Sequence, residues 1–389
     1  MVTRERFTTL SNSTSTSTLF WIFLKLGCTS FGGPIAHLGY FRAEFVTKRR
    51  SISETEYADL VGLCQFLPGP ASSQVGMAIG HRFAGVQGAV AAWLGFTLPS
   101  SLLMFAAASM LAMRPEWADG AVVHGLKIAA VVIVAQAVIG MWNALCPDVE
   151  RRIWAIGSAA LLLIAPSLWL PIGIISLAGI VGWVRAPRLD RVPLLAPRKR
   201  YWITFCVLLI LPALPTAWMG FAVFNAFYRA GALVFGGGHV VLPLLQTQTV
   251  GQGWLGTGDF LGGYGAAQAL PGPLFTFATF VGARIGGLPM AVLATVGIFL
   301  GGFLLLMAFL PVWTSLKKHP SIRTALNLIN ATVVGILAAA WVSPVASSAL
   351  VDLRSWIIAG CGFGLLQIAK APPLAVVVFC GVSAWCLYG

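Results

Sequence analysis

The chain of 389 residues is 58% hydrophobic and only 10% charged, with a formal net charge of +13 and a mean hydropathy of +0.86. Soluble domains carry about 25% charged residues, so this composition excludes a soluble globular protein and indicates an integral membrane protein. Alternating polar and apolar strand patterns are absent, which argues against a β-barrel. Much of the positive charge lies in loops, where the positive-inside rule explains it without nucleic acid as a partner.

Apolar segments long enough to form membrane helices recur along the whole chain. The first six spans are predicted at residues 17–41, 57–80, 86–112, 121–145, 153–167 and 168–184. A linking helix at 202–216 follows a basic stretch, and six more spans are predicted at 221–245, 259–283, 288–311, 324–344, 353–368 and 373–388. The sequence therefore predicts an all-α polytopic membrane protein with about 13 segments.

Three blocks of the first half return in the second half in the same order. FLKLGCTSFGG at 23–33 aligns with FYRAGALVFGG at 227–237 at an offset of 204, QFLPGP at 65–70 aligns with QALPGP at 268–273 at 203, and 95–104 aligns with 297–306 at 202. We predict four parts: an N-terminal cytoplasmic tail at 1–16, a first repeat at 17–184, a basic loop plus linking helix at 185–220, and a second repeat at 221–389. A single helix between two six-span units turns the second unit upside down, which predicts the inverted-repeat architecture of many secondary transporters.

Each half carries the sequence LPGP inside an apolar segment, which predicts a broken helix at the membrane midplane. The helix-break residues are Pro68, Pro70, Pro271 and Pro273. Proline removes backbone donors and leaves carbonyls unpaired, so the break must face protein or a water-filled cavity rather than lipid. Pro70 suits the first position of a new helix, and the free N–H groups of a helix start bind anions.

Basic residues lie within the predicted spans, whereas all 12 acidic residues can be placed in loops or near span ends. Burying such a cation costs about 2.5–3.5 kcal/mol on the insertion scale, so a site that keeps cations at this depth is expected to meet an anion. We therefore predict an oxyanion-binding site near the midplane. The candidate residues are Lys25, Gly32, Gly33, Gln65, Gly69, Ser72, Ser73, Arg229, Gly236, Gly237, Gln268, Gly272 and Thr276.

These residues also have plainer interpretations. The glycines could serve helix packing, PGP could simply kink a helix, and Lys25 and Arg229 could extend to an interface. His124 and Lys127 have no counterpart in the aligned blocks and are weaker candidates. Because the cysteines occur singly and no H-E-x-x-H motif is present, we predict no metal site, no cofactor and no enzyme.

The loop charges predict the orientation of the chain. The side that holds the N-terminus would carry 15 loop Lys and Arg, against 7 on the other side, so the N-terminus is predicted to be cytoplasmic. Four basic residues, Arg42, Lys48, Arg49 and Arg50, fall on the poorer side. They contradict this orientation locally unless the first two segments do not fully cross.

The paired motifs resemble those of a known family. FGGP after a lysine-bearing span, Q-x-LPGP in the next span, and FGG with LPGP in the second half are similar to the chromate ion transporter family in its long, two-domain form. The resemblance implies export of chromate across the bacterial inner (plasma) membrane, driven by an ion gradient and giving chromate resistance. The second half reads FGGG instead of FGGP, so the two halves need not bind equally.

Several alternatives remain open at this point. Sulfate has the same shape and charge as chromate, and a passive anion channel would use the same cationic lining. The oligomeric state is open, with a homo-oligomer as one option. Proton coupling is open as well, and its carrier would be His37, His239, Glu44 or Asp259.

Overall fold

The computed structural model describes residues 14–31, 33–113, 120–165, 170–186, 196–210, 218–234, 241–313 and 319–389. The described residues are almost entirely helical. The helices are α1 (Thr16–Thr29), α2 (Gly33–Arg42), α3 (Glu54–Phe66), α4 (Ala71–Met113), α5 (Ala121–Leu145), α6 (Val149–Ile164), α7 (Leu170–Arg185), α8 (Lys199–Ile210), α9 (Met219–Ala232), α10 (Val241–Thr249), α11 (Thr257–Ala269), α12 (Phe277–Phe309), α13 (Pro320–Ala340), α14 (Leu353–Gln367) and α15 (Pro373–Tyr388). Short π-helical segments at Ala43–Lys48 and Trp341–Ala346 extend α2 and α13.

Four helical stretches among these residues are long and apolar enough to cross a membrane. They are Ala71–Met113, Ala121–Leu145, Leu274–Val312 and Pro320–Ala349. Polar side chains fix where other helices begin, because Ser15, Ser53 and Asp148 each accept a hydrogen bond from a backbone N–H in the first turn of the helix that follows.

The first predicted span, 17–41, does not cross the membrane as one helix. α1 and α2 fold back on each other, because the ring of Phe23 lies 5.6 Å from that of Phe41 and 5.4 Å from that of Phe45. In one continuous helix, residues 18 positions apart would be about 27 Å apart. α1 and α2 therefore form a re-entrant hairpin of two short helices.

The predicted span 57–80 also folds back, at the LPGP sequence. α3 ends at Phe66 and α4 begins at Ala71, and Arg82 Nε lies 2.7 Å from Glu56 Oε1. A helix running straight through the break would separate these two residues by about 39 Å. LPGP is thus the tip of a second hairpin, and Pro70 stands just before the new helix rather than at its first position.

α4 is itself two antiparallel arms. Ala84 and Gly85 have non-helical backbone angles, with φ +60° at Gly85. A methyl group on Gly80 would lie 2.8 Å from Cβ of Ala92, twelve residues away, which requires the chain to reverse between them. The first arm of α4 (residues 71–83) completes the hairpin with α3. The long arm of α4 (residues 86–113) is about 42 Å in length and can cross the bilayer.

The second half repeats this design, so the predicted spans 221–245 and 259–283 are broken as well. α9 and α10 are short, and α11 is followed by a 3₁₀ turn at Leu274–Thr276 before α12 begins. Arg284 Nη2 lies 2.6 Å from Asp259 Oδ2, at the positions equivalent to Arg82 and Glu56. α12 then reverses at Gly286 and Gly287 into a long arm of its own (residues 288–309).

The second repeat is inverted relative to the first. On the long arm of α12, Gly302 lies beside Pro70 at the tip of the first repeat. Eleven residues further along, the ring of Trp313 lies 5.2 Å from that of Phe66 and beside Gly62 on α3. The long arm of α12 thus runs toward the side from which α3 enters, whereas the long arm of α4 runs away from that side.

The hairpins place the basic cluster at residues 42–50 on the side of the membrane on which α1 begins. Because α2 folds back along α1, Arg42 returns to the side on which α1 begins, and it forms an ion pair of 2.7 Å with Glu54 at the start of α3. Lys48, Arg49 and Arg50 follow on that side. The sequence-based assignment of these four residues to the opposite side was wrong, and the local contradiction to the charge rule disappears.

Each LPGP tip donates a backbone hydrogen bond to the opposite repeat. Gly69 N donates to Val234 O at 2.7 Å, and Gly272 N donates to Ser30 O at 2.9 Å. Both acceptors stand at the break after the first helix of the opposite repeat, at positions related by the offset of 204. Carbonyls freed by one broken helix are therefore satisfied by the inverted copy.

Cross-linking tests the hairpin that ends in LPGP. In a cysteine-free background, we expect Glu56→Cys with Arg82→Cys to be joined by a short thiol-to-thiol reagent, because the two side chains meet. Mass spectrometry of the intact protein would show one added linker with both thiols consumed. The pair Glu56→Cys with Arg284→Cys is the control and should not be joined. Failure of the first pair to react would mean that α3 and α4 run straight through the break.

Substitution of Gly69 tests the packing of the tips. Gly69 has φ +130°, and a methyl group there would lie 2.8 Å from Gln74 Nε2 and 3.0 Å from Gly302 Cα. We expect Gly69→Ala to lose about 1–3 kcal/mol of stability through strain, measured as a lower thermal unfolding temperature in detergent. Gly39→Ala is the control, because Gly39 is helical with open space around it. Equal unfolding temperatures for the two variants would contradict the packing described.

Candidate functional site

Buried polar residues of the first repeat gather beside the central tips. His37 of α2 is fully buried, its Nδ1 lies 3.3 Å from Ser72 Oγ on α4, and its ring packs edge-on against Phe96 at 5.2 Å. We call this group the polar cradle: it consists of His37, of Ser30 and Ser72, which approach the His37 ring, and of Ser73 and Thr97, which are the buried chain neighbours of Ser72 and Phe96. All five are buried.

The polar cradle contains hydrogen-bonding atoms that are buried and unpaired. Ser30 Oγ, His37 Nε2, Ser73 Oγ and Thr97 Oγ1 have no hydrogen-bond partner among the described residues. Buried polar groups are nearly always paired, and each exception calls for an explanation. A bound ligand that accepts hydrogen bonds would satisfy these groups.

Two helices begin close to the cradle residues. The first arm of α4 begins at Ala71 and α2 begins at Gly33, so both returning helices start at the tips of their hairpins. The N–H groups in a first helical turn have no partner within the helix and carry a partial positive charge. The opposing partial negative charge at the end of α1 is reduced, because Ser30 O accepts the Gly272 N–H. Together with the hydroxyl groups, this arrangement suits an oxyanion.

The second repeat lacks most of these polar groups. At the positions equivalent to His37, Ser72 and Gln74 it carries Val241, Phe275 and Phe277. Thr276, which is equivalent to Ser73, donates its hydroxyl to Pro273 O at 2.8 Å and so is already paired. The site is therefore asymmetric within a symmetric scaffold.

Gln74 connects the two repeats and has no polar counterpart. Its Nε2 donates to Pro68 O at 3.1 Å and to Gly302 O at 3.1 Å, and its Oε1 is buried without a partner among the described residues. The side chain thus holds the tip of the first repeat against the long arm of α12. Gln74, Ser30 and Thr97 are absent from the residue set that the sequence predicts, and His37 is named there only as a candidate proton carrier, because the repeated motifs do not include these residues.

The structure gathers part of the residue set that the sequence predicts. Gly69 and Gly272 form the tips, Gly33 begins α2, and Ser72 and Ser73 lie in the first turn of α4. Lys25 lies on the exposed face of α1, and Gln65 is exposed near the end of α3. Gly32, Gly236, Gly237 and the candidate proton carrier His239 lie outside the described residues.

Arg229 and Gln268, which are the second-half equivalents of Lys25 and Gln65, are less exposed than those two residues. Arg229 is half-buried and lines a small pocket with Leu233, Leu244 and Thr247. Gln268 is half-buried, and its amide nitrogen has no partner among the described residues.

The other polar candidates lie in contacts away from the tips. Glu44 pairs with Arg49 at 2.8 Å, and Asp259 pairs with Arg284, so both carboxylates serve ion pairs. His124 packs edge-on against Tyr388 at 4.8 Å. The ammonium group of Lys127 reaches Gly258 at the start of α11. No group of His, Cys, Asp or Glu that could hold a metal ion occurs in the part of the chain that the structure describes.

Comparison with known proteins assigns the chain to a family. The chromate transporter family matches residues 17–183 and 221–385, once in each repeat. A chromate transport protein of Pseudomonas aeruginosa is 32% identical over 392 residues, covering 95% of this chain and 92% of its own length.

Two further relatives agree with this assignment. A probable chromate transport protein of Synechococcus elongatus is 30% identical, with 93% of this chain and 94% of its own length covered. A chromate transport protein of Cupriavidus metallidurans is 27% identical, with 88% and 85% covered. No solved structure matches the chain. Matches in both repeats, and relatives that align over nearly their whole length, show that the chain belongs to the chromate transporter family.

Proposed function

We propose that this protein is a secondary transporter that exports chromate from the cytoplasm across the inner membrane and so gives chromate resistance. The observation that supports the proposal is the polar cradle of the first repeat, where buried polar groups without partners among the described residues occur close to the starts of two helices. The names of the relatives supply chromate as the substrate. The binding groups themselves suit any tetrahedral oxyanion, so sulfate is the second candidate.

The orientation that we propose places the N-terminus in the cytoplasm. The hairpins return Arg42, Lys48, Arg49 and Arg50 to the side on which α1 begins, and that side already holds most of the other loop Lys and Arg. The positive-inside rule makes this side cytoplasmic. The hairpins of the first repeat would then enter from the cytoplasm, and those of the second repeat from the opposite side.

A transporter fits the central site better than a passive channel does. The cradle atoms that have no partner among the described residues are buried away from solvent, and each LPGP tip is held to the opposite repeat by a backbone hydrogen bond. A channel needs a continuous path to its selectivity site. An occluded site in a protein built of inverted repeats instead requires a movement that exposes it to one side at a time.

We propose that Lys25 attracts the anion on its way to the cradle. Lys25 is exposed and stands five residues before Ser30, which is about 8 Å along the axis of α1. Arg229 holds the equivalent position in the second repeat. A cation close to a binding site raises the local concentration of an anion without having to contact it in the bound state.

Removing hydroxyl groups from the cradle tests the site. We expect Thr97→Val and Ser73→Ala each to weaken chromate binding by about 1.5–3 kcal/mol, roughly 10- to 100-fold, because a hydrogen bond to a charged ligand is lost. Stability should be unchanged or higher, since an unpaired buried hydroxyl is removed. Thr332→Val is the matched control, because Thr332 of α13 is also buried and its hydroxyl has no partner in the described part of the chain.

The measurement is uptake of radioactive chromate and of sulfate into inverted membrane vesicles, with and without an imposed ion gradient. Gradient-dependent accumulation of chromate by the parent protein supports active export, and passive equilibration would instead indicate a channel. Equal flux in Thr97→Val and Thr332→Val would remove Thr97 from the site. Preferential uptake of sulfate would indicate that sulfate, and not chromate, is the substrate.

A separate variant tests the approach of the anion. We expect Lys25→Ala to raise KM for chromate several-fold, with a smaller change in kcat and a weaker dependence of flux on salt. Lys370→Ala is the control, because Lys370 is an exposed lysine in a loop. The assay is the same vesicle uptake over a range of salt concentrations, and an unchanged KM would reject the role of Lys25.

A further inference from the structure

We propose that His37 takes up a proton when an oxyanion binds in the polar cradle, so that the dianion and one proton are transported together. This inference rests on the proposed function, since it concerns the same site. The proton comes from water on the open side and is held on the imidazole, and no covalent bond of the anion changes.

The position of His37 provides one free ring nitrogen. Nδ1 lies 3.3 Å from Ser72 Oγ, whereas Nε2 is buried and has no hydrogen-bond partner among the described residues. The ring is fully buried and is held edge-on against Phe96. Nε2 is therefore the atom that can donate to an anion once it carries a proton.

No counter-charge faces His37 in the part of the chain that the structure describes. α1 approaches it with the backbone of Ser30, and α4 approaches it with Ser72 and Phe96, none of which is ionisable. The nearest acidic residue along its own helical segment, Glu44, pairs with Arg49. Burial without a counter-charge favours a neutral imidazole in the empty cradle.

A dianion reverses this preference. The helix N-termini at Gly33 and Ala71 supply only partial positive charges, about half an elementary charge each. No lysine or arginine belongs to the cradle, and Lys25 is on the exposed face of α1. A protonated His37 supplies the full positive charge that a buried dianion needs, and opposite charges at this distance favour the charged form of both groups.

The asymmetry of the repeats sets the number of protons. The position equivalent to His37 in the second repeat is Val241, which cannot bind a proton. One anion would therefore bind together with one proton. The anion and the proton together would carry one net negative charge instead of two. An inside-negative membrane potential still favours movement of the anion and its proton out of the cell.

The test measures proton uptake on binding with the purified protein in detergent. The probe is chromate above neutral pH, where chromate is a dianion, and sulfate is the second probe. We expect the parent protein to take up about one proton per anion, recorded with a pH indicator in weak buffer. We also expect the Kd for the anion to rise about tenfold for each unit by which the pH is raised, because one proton is taken up for each anion bound.

Variants locate the proton. His37→Gln should bind the anion more weakly, with no proton uptake and a Kd independent of pH, and His37→Asn replaces it if the Gln variant does not fold. His124→Gln is the matched control, because His124 is also a partly buried histidine with an unpaired Nε2, and it should behave like the parent.

The outcomes separate this inference from the proposed function. If the parent protein binds neither chromate nor sulfate, the proposed function fails. If the parent binds either anion without taking up a proton, the function stands and the role of His37 is rejected. Proton uptake that persists in the His37 variants also rejects that role.

Discussion

The unpaired backbone groups of a broken membrane helix are the constraint on which this structure depends. Lipid offers such groups no hydrogen bonds, and each one left unpaired there costs several kcal/mol. The chain satisfies them with a second, inverted copy of itself, since Gly69 N finds Val234 O and Gly272 N finds Ser30 O. A single repeat would leave these backbone groups without their partners, so the broken helices and the inverted duplication support each other.

The symmetric scaffold holds an asymmetric site. Residues that maintain the scaffold occur in both repeats, as with the Glu56–Arg82 and Asp259–Arg284 pairs that close the open ends of equivalent hairpins. Residues that bind a ligand need not occur in both repeats, because one copy of a site is enough for one ligand. The polar set around His37 therefore occurs in the first repeat alone, and Val241 occupies the equivalent position as an apolar packing residue.

The sequence predicted the repeats, the breaks at LPGP and the inversion, but not the hairpins. Hydropathy over about 20 residues cannot distinguish one span from two short helices that fold back. Two signals of the hairpins were present: the basic residues at 42–50 contradicted a crossing, and the Glu56–Arg82 pair recurs at the repeat offsets. His37 and Gln74 could not be predicted as binding or bridging residues from the duplicated motifs, because the second repeat carries Val241 and Phe277 at their positions.

The contacts at the tips also limit how the cradle can open. The crossed backbone bonds join the hairpins of one repeat to those of the other, and Gln74 joins the first tip to Gly302 on the long arm of α12. Opening toward either side must therefore break or shift some of these bonds. Because the repeats are related by inversion, a movement of the first hairpins toward one side has an equivalent movement of the second hairpins toward the other. The crossed bonds are equivalent in the two directions, whereas Gln74 acts on one tip only, so we infer that the two openings differ in energy.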